Sequence, residues 1–184
     1  WYIENSLTTI GQKDPLSEYN SVLWNSGIEA NKEIARKQKR RLTYFSNIYV
    51  VEDKANPQNE GKVFLFRFGK KIFDKISSMS NPEFEDETEV DVFNLWDGAN
   101  FKLKIRKVDG FSNYDKSEFM TSTPLSEDES EMERVFGEQH DLEEFIDQKS
   151  FKTYDELKTR LDTVLGNIQT AAMTAPTSVE NDVA

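Results

Sequence analysis

The side chains able to do chemistry in this chain are cations and flat rings. Between positions 32 and 75 stand 12 Lys or Arg against 5 Asp or Glu. Five of the six residues from 36 to 41 are basic: Arg36, Lys37, Lys39, Arg40 and Arg41. Tyr44, Phe45 and Tyr49 follow, then a polar turn over 53–61, then Phe64, Phe66 and Phe68, then Lys70, Lys71 and Lys75. Cations neutralise phosphates and rings stack on unstacked bases, so this composition suits a groove for single-stranded nucleic acid. No nucleophile–base pair, phosphate-cradling glycine loop or metal cluster stands out, and catalysis is not expected.

The overall charge of −11 argues the other way, but its distribution matters more than its sum. Residues 76–100 carry seven acids and no base, and 115–162 carry 15 acids against 6 bases. The chain is therefore polarised into a basic band followed by two acidic ones. An unevenly charged solvated surface would give the same pattern. So would an acidic protein-interaction module in which 126–144 does the recognition. The cations at 36–41 suit a helix C-terminus, yet they exceed what a cap needs and favour phosphate contact.

At 184 residues, one domain with an appendage is expected, with 13 Phe, 6 Tyr and 3 Trp available for a core. No apolar run of about 18 residues exists, so no membrane span is expected. No signal-peptide pattern is visible, and a first residue of Trp suggests a fragment, a processed product or a trimmed piece. The absence of cysteine excludes disulfides and thiolate metal sites.

The elements that must position these residues follow from pattern. Residues 1–4 read as a strand end and 5–15 as turns. Residues 16–42 read as helical with a break at Gly27. Residues 42–51 and 62–68 alternate as two strands, with Phe64, Phe66 and Phe68 sharing one face either as core or as a stacking platform. Gly69 ends the second strand. A helix is expected over 70–79, its apolar stripe being Ile72, Phe73, Ile76 and Met79, with Lys70, Lys71 and Lys75 largely outside that stripe. An acidic loop fills 80–89. Residues 101–108 read as one amphipathic strand, with Lys102, Lys104 and Arg106 outward as either edge protection or a phosphate path. Phe111 and Tyr114 sit in a polar loop after Gly110, better placed for base stacking than for a core. Helices are expected over 128–145 and 150–165, and an unpacked tail over 166–184.

The phrases NEGKVF, RFGKKI, DGANF and GFSNYD, with WYIE at the start and FKTYDELKTRL near the end, resemble the core of the single-stranded DNA-binding proteins of T-even-like bacteriophages, a helix-destabilising family. The resemblance runs in order over most of 1–165. It implies an α+β fold: an OB-fold-like β-barrel with a helical subdomain inserted near the N-terminus and C-terminal helices. The DNA-binding core would span 1–120 with its insertion at about 16–42, and an acidic helical segment over 121–165 would pack on it. It further implies sequence-independent coating and protection of single strands in phage replication, recombination and repair. Partners would be single-stranded DNA, phage replication and recombination proteins and further copies of the chain, with no membrane, in the cytoplasm of the infected bacterial host. RNA-directed OB binding remains an alternative.

Carried over residue by residue, Lys39, Arg40 and Arg41 match the family's basic cluster at the cleft. Tyr44 and Phe45 match an aromatic pair, and Phe66 replaces a cleft tyrosine, keeping the ring but losing the hydroxyl. Arg67 is a matching cation, Phe111 and Tyr114 match the loop aromatics, and Lys70 and Lys71 extend the basic surface. The family's zinc site, one His and three Cys after WYIE, has no counterpart: 5–21 holds neither residue type, and the single histidine is His140. No cofactor is expected, with helix packing replacing zinc. The resemblance also implies a basic N-terminal arm for self-association, an acidic C-terminal tail for recruiting other proteins, and barrel strands ahead of WYIE; the sequence holds none of these. An exposed sheet edge, open to pairing with another chain, is expected in their place.

Overall fold

A computed structural model describes residues 1–174, with side chains through 166. Its regular elements, in chain order, are α1 (Pro15–Asn25), α2 (Glu29–Lys37), β1 (Tyr44–Tyr49), β2 (Val63–Phe68), α3 (Lys70–Ser80), β3 (Ala99–Lys102), β4 (Arg106–Val108), β5 (Phe111–Asn113), β6 (Glu118–Ser122), α4 (Glu129–Gly137) and α5 (Tyr154–Thr174). The expected mixture of helix and antiparallel sheet is present. The strands pair as β1–β2, β3–β6 and β4–β5, three separate two-stranded sheets, with no closed barrel among the described residues. Each strand therefore keeps one edge unpaired within its sheet.

The chain divides into two units, Trp1–Arg41 with the segment from Glu143 on, and Leu42–Leu142. In the first, Asp14 organises the turn ahead of α1. Its carboxylate accepts from the Ser17 backbone N–H at 2.9 Å, from the Leu7 N–H at 3.1 Å and from the Ser6 hydroxyl at 3.1 Å. This N-cap, followed by Pro15 at the first helical position, starts the helix. Leu7, Ala35, Leu157 and Leu161 are buried here, and Tyr154 donates to Glu18 at 2.6 Å. Gly27 separates α1 from α2 as expected. The helix α5 opens on a reciprocal cap between Thr153 and Glu156 and continues through Gly166 to Thr174. The expected tail from 166 is thus helical at its start, and its remainder, 175–184, lies outside the described residues.

In the second unit, β1 and β2 pair with Tyr44 opposite Phe68 and Tyr49 opposite Val63. The turn between them is tied by Asp53, whose carboxylate accepts from the Ala55 and Asn56 N–H groups. Phe68, Ile72, Met132 and Val135 are buried, as is Ser46. Tyr49 donates to Glu131 at 3.0 Å, and the Asn47 amide exchanges two hydrogen bonds with the His140 backbone, so the α4 region is fastened to the hairpin. The helix expected over 128–145 ends at Gly137, with a short 3-10 turn at Glu143–Phe145.

The single strand expected over 101–108 is instead two, β3 and β4, broken between 102 and 106. The cause is distant in sequence: the buried Ser117 hydroxyl accepts from the Lys104 N–H at 2.9 Å and donates to the Lys104 carbonyl at 3.1 Å. One side chain thereby takes both backbone groups that a ladder would have used. Phe111 is likewise not in a loop. Asp109 and Gly110, with φ of 50° and 81°, form a two-residue hairpin turn that pairs Val108 with Phe111. Gly98 is buried where the chain folds on itself; a Cβ there would lie 2.2 Å from the Asn94 carbonyl oxygen.

Candidate nucleic-acid interface

Directly paired residues of an antiparallel hairpin share a face. One face of β1–β2 therefore carries Tyr44, Ser46 and Ile48 with Phe68, Phe66 and Phe64. Three of its rings lie nearly parallel: Tyr44 and Phe68 have centroids 5.7 Å apart at 16°, and Phe66 and Phe68 are 5.5 Å apart at 25°. The helix α3 adds Phe73, whose ring stacks on Tyr44 at 4.1 Å and 10°. A cavity of about 330 Å³ opens beside them, lined by Thr43, the run from Phe66 to Gly69, Ile72 and Tyr114. The N-terminus of α3 reaches this cavity at Gly69 with no side-chain cap, leaving backbone N–H groups for an anionic neighbour.

The residues proposed from sequence fall into distinct settings. Tyr44 and Phe66 share the aromatic face, and Phe66, Arg67 and Tyr114 line the cavity. Phe45 lies on the opposite face, directly across from Arg67, so strand alternation parts this pair from Tyr44 and Phe66. Arg67 is exposed and has no carboxylate partner among the described residues. Lys70 is held by Asp74 at 2.6 Å, a hydrogen bond that raises its pKa and keeps it charged. Lys71 donates to the Asn113 side chain at 3.0 Å, joining α3 to β5. Phe111, at the mouth of the β4–β5 turn, is 77% exposed.

Lys39, Arg40 and Arg41 belong to the first unit and stand past Gln38, the residue that closes α2. They are therefore not capping cations. Lys39 and Arg41 are exposed with no carboxylate partner among the described residues, while Arg40 donates to the Thr8 hydroxyl. Arg36, inside the last turn, is occupied: it pairs with Glu29 at 2.9 Å and with Glu33, and lies 5.4 Å over the Trp24 ring.

The outward row Lys102, Lys104 and Arg106 is not an open phosphate path. Lys104 pairs with Glu118 at 2.6 Å. Arg106 makes a two-pronged contact with Asp115, Nε to Oδ1 at 2.9 Å and Nη2 to Oδ2 at 2.6 Å. The guanidinium holds the Asp115 carboxyl down at about 2, so the pair stays ionised at neutral pH.

The donor set does not fit the zinc site that the resemblance carries. Residues 5–15 offer no thiolate or imidazole, and the Asp14 carboxylate is used by three hydrogen bonds within the turn. Among the described residues no three His, Asp or Glu side chains gather as a metal cluster.

Two contributors escaped the sequence. Phe73 reads only as part of the apolar stripe of α3, yet it caps the aromatic face and is 37% exposed. Thr43 at the cavity wall gave no signal. Phe73 was detectable in principle, because it falls one helical turn after Lys70 and so shares that cation's side of the helix.

Comparison with known proteins agrees with this chemistry. The profile of a family described as gp32 DNA binding protein like matches residues 1–165. The single-stranded DNA-binding protein of Enterobacteria phage T2 is 46% identical over 180 residues, covering 94% of this chain and 57% of that protein. Its counterpart from Enterobacteria phage T4 is 45% identical over 173 residues, covering 90% and 56%. The chain thus spans about half the length of the curated relatives it matches. The phrases singled out in the sequence and the match over 1–165 agree: the chain belongs to the gp32-like family of DNA-binding proteins.

Proposed function

We propose that this chain binds single-stranded DNA without regard to sequence, and so coats and protects strands opened during phage replication, recombination and repair. The observation that carries the proposal is the aromatic face of β1–β2 and α3, with four rings in near-parallel contact beside a cavity and an exposed arginine that has no carboxylate partner among the described residues. The names of the T2 and T4 relatives support the same reading. Rings accept any base, since every base has a flat face, and the cations displace counterions from phosphates. Lys39, Arg40 and Arg41, just ahead of β1 in the chain, supply the first of those charges and Arg67 another. Phe111 and Tyr114 supply further rings.

The proposal extends to the finer fold: the hairpin is part of an OB-type barrel, supported by its short alternating strands and unpaired edges. Binding needs no metal, since the sequence has no cysteine and Asp14 already ties the turn where the family carries zinc. The partners would be single-stranded DNA, replication and recombination proteins and other copies of the chain, in the host cytoplasm. Titrating a fluorescent oligothymidylate at several salt concentrations tests the proposal, beside a matched duplex and an oligouridylate. The expected result is tight DNA single-strand binding that weakens steeply with salt and little duplex binding. No single-strand binding at low salt overturns it, and clear preference for the uridylate redirects it to RNA.

A further inference from the structure

We infer that Phe73, not Tyr44, presents the ring on which a nucleobase stacks at the α3 end of the aromatic face, and that Tyr44 acts by holding Phe73 in place. The inference rests on the proposed single-strand binding and refines it. Its ground is the Tyr44–Phe73 pair. At 4.1 Å between centroids and 10° between planes, the two rings are already at stacking distance, and no base enters between them without forcing them apart. Tyr44 is half-buried, held on the strand side by its cross-strand neighbour Phe68 at 5.7 Å. Phe73 is more exposed and covers the Tyr44 ring from the helix side. A stack approaching from solvent on that side meets Phe73 first.

The setting of Phe73 suits a base with its phosphate. It lies three positions after Lys70, on the same side of α3. It lies two positions after Lys71, whose ammonium is tethered to Asn113 rather than to a carboxylate. The Phe73 backbone N–H donates to the Gly69 carbonyl at 3.2 Å, so the ring rides on the first turn of a regular helix and is preorganised. Tyr44 and Phe68 back it from the strand side, an arrangement of rigid rings that stacks on any base.

The test compares Phe73→Leu, Phe73→Trp, Tyr44→Phe and Tyr44→Leu with the unaltered protein, titrated with oligothymidylate, and maps photo-cross-links to 5-iodouracil placed along the strand. One stacked base is worth roughly a 5- to 150-fold change in affinity. Phe73→Leu should lose an amount in that range while its salt slope stays unchanged. Phe73→Trp should bind as well or better, and Tyr44→Phe, which keeps the ring that backs Phe73, should lose less affinity than Tyr44→Leu. Cross-links should map to Phe73, and in Tyr44→Leu they should weaken there without moving to position 44. Unchanged melting of Phe73→Leu separates stacking from folding; if that variant is unstable, the cross-link map of the unaltered protein decides. Cross-links at Tyr44 with none at Phe73, or unchanged affinity in Phe73→Leu, overturn the inference while leaving single-strand binding intact. Failure of the unaltered protein to bind at all refutes the functional proposal instead.

Discussion

The β1–β2 hairpin and the β3–β6 region carry similar side chains in different states. On the hairpin, Arg67 is exposed with no carboxylate partner among the described residues, and the aromatic rings are locked against one another. In the β3–β6 region, Lys104 and Arg106 are each held by a carboxylate, and the Phe101–Phe119 pair is a tilted packing contact at 4.7 Å and 48°. A cation already satisfied by a local acid releases few counterions when DNA arrives, because it must first give up its partner. The difference teaches that the count of basic residues overstates the phosphate-binding surface. What matters is the number of cations with nowhere else to go.

The largest expected effect separates rings that hold the fold from rings that serve binding. Phe68 is 8% exposed and touches both Tyr44 and Phe66, so Phe68→Ala should cost about 3–5 kcal/mol of stability, read from the urea midpoint. Phe111 touches no ring among the described residues, and Phe111→Ala should move that midpoint by less than about 0.5 kcal/mol. Equal losses in the two variants would erase the distinction.

Phe111 should count elsewhere. If it serves as a stacking ring at the tip of β4–β5, Phe111→Ala lowers affinity for oligothymidylate by about 1–3 kcal/mol with no change in stability. Affinity equal to the unaltered protein would leave this hairpin with no part in binding and confine the site to β1–β2 and α3.

Much of this arrangement was legible in the sequence because it is local. Period-two alternation fixed which of Phe64, Phe66 and Phe68 share a face, Gly69 marked the end of β2, and the Ile72 stripe marked α3. The Asp109-Gly110 pair was a local signal too, and its hairpin was overlooked in favour of a loop. What was not legible depends on partners distant in the chain. The break in the 101–108 strand is imposed by Ser117, and the neutralised charges of Lys104 and Arg106 depend on Glu118 and Asp115. The parting of Phe45 from Tyr44 follows from alternation alone, but a family resemblance that carries both as one aromatic pair conceals it. Phe73 was missed because a stripe of apolar residues on a helix looks the same whether its edge is packed or half-open.

A smaller effect tests the charges themselves. Arg67→Ala should lower affinity and reduce the slope of log affinity against log salt by about 0.7, the share of one phosphate on a single strand. Arg106→Ala should leave that slope nearly unchanged, because the guanidinium is committed to Asp115. Equal drops in slope would mean that the Arg106–Asp115 pair opens on binding, and the contrast between the two regions would fail.

The smallest effect is in acid. Hydrogen bonds from Arg134, then from Tyr49, hold the Glu131 carboxyl down from an ordinary value of 4.5 to about 2, and Arg106 holds Asp115 down from 3.8 to about 2. A carboxyl whose folded pKa is depressed binds fewer protons folded than unfolded. Its contribution is therefore complete above the ordinary value and is lost as pH falls toward the folded one. Stability of the unaltered protein should be level above about pH 5 and decline between about pH 4.5 and 2, measured as the urea midpoint against pH. Arg106→Ala should flatten part of that decline, since Asp115 would then titrate near its ordinary value in both states, and Glu131→Gln should flatten another part. Arg67→Ala should leave the profile unchanged because Arg67 pairs with no carboxylate among the described residues. Both arginines are exposed and both carboxylates are only half-buried, so the change is small, but its sign is fixed. A profile that steepens in Arg106→Ala would show that Asp115 is not stabilised by the guanidinium, and that the arginines of the two regions are equally free to meet a phosphate.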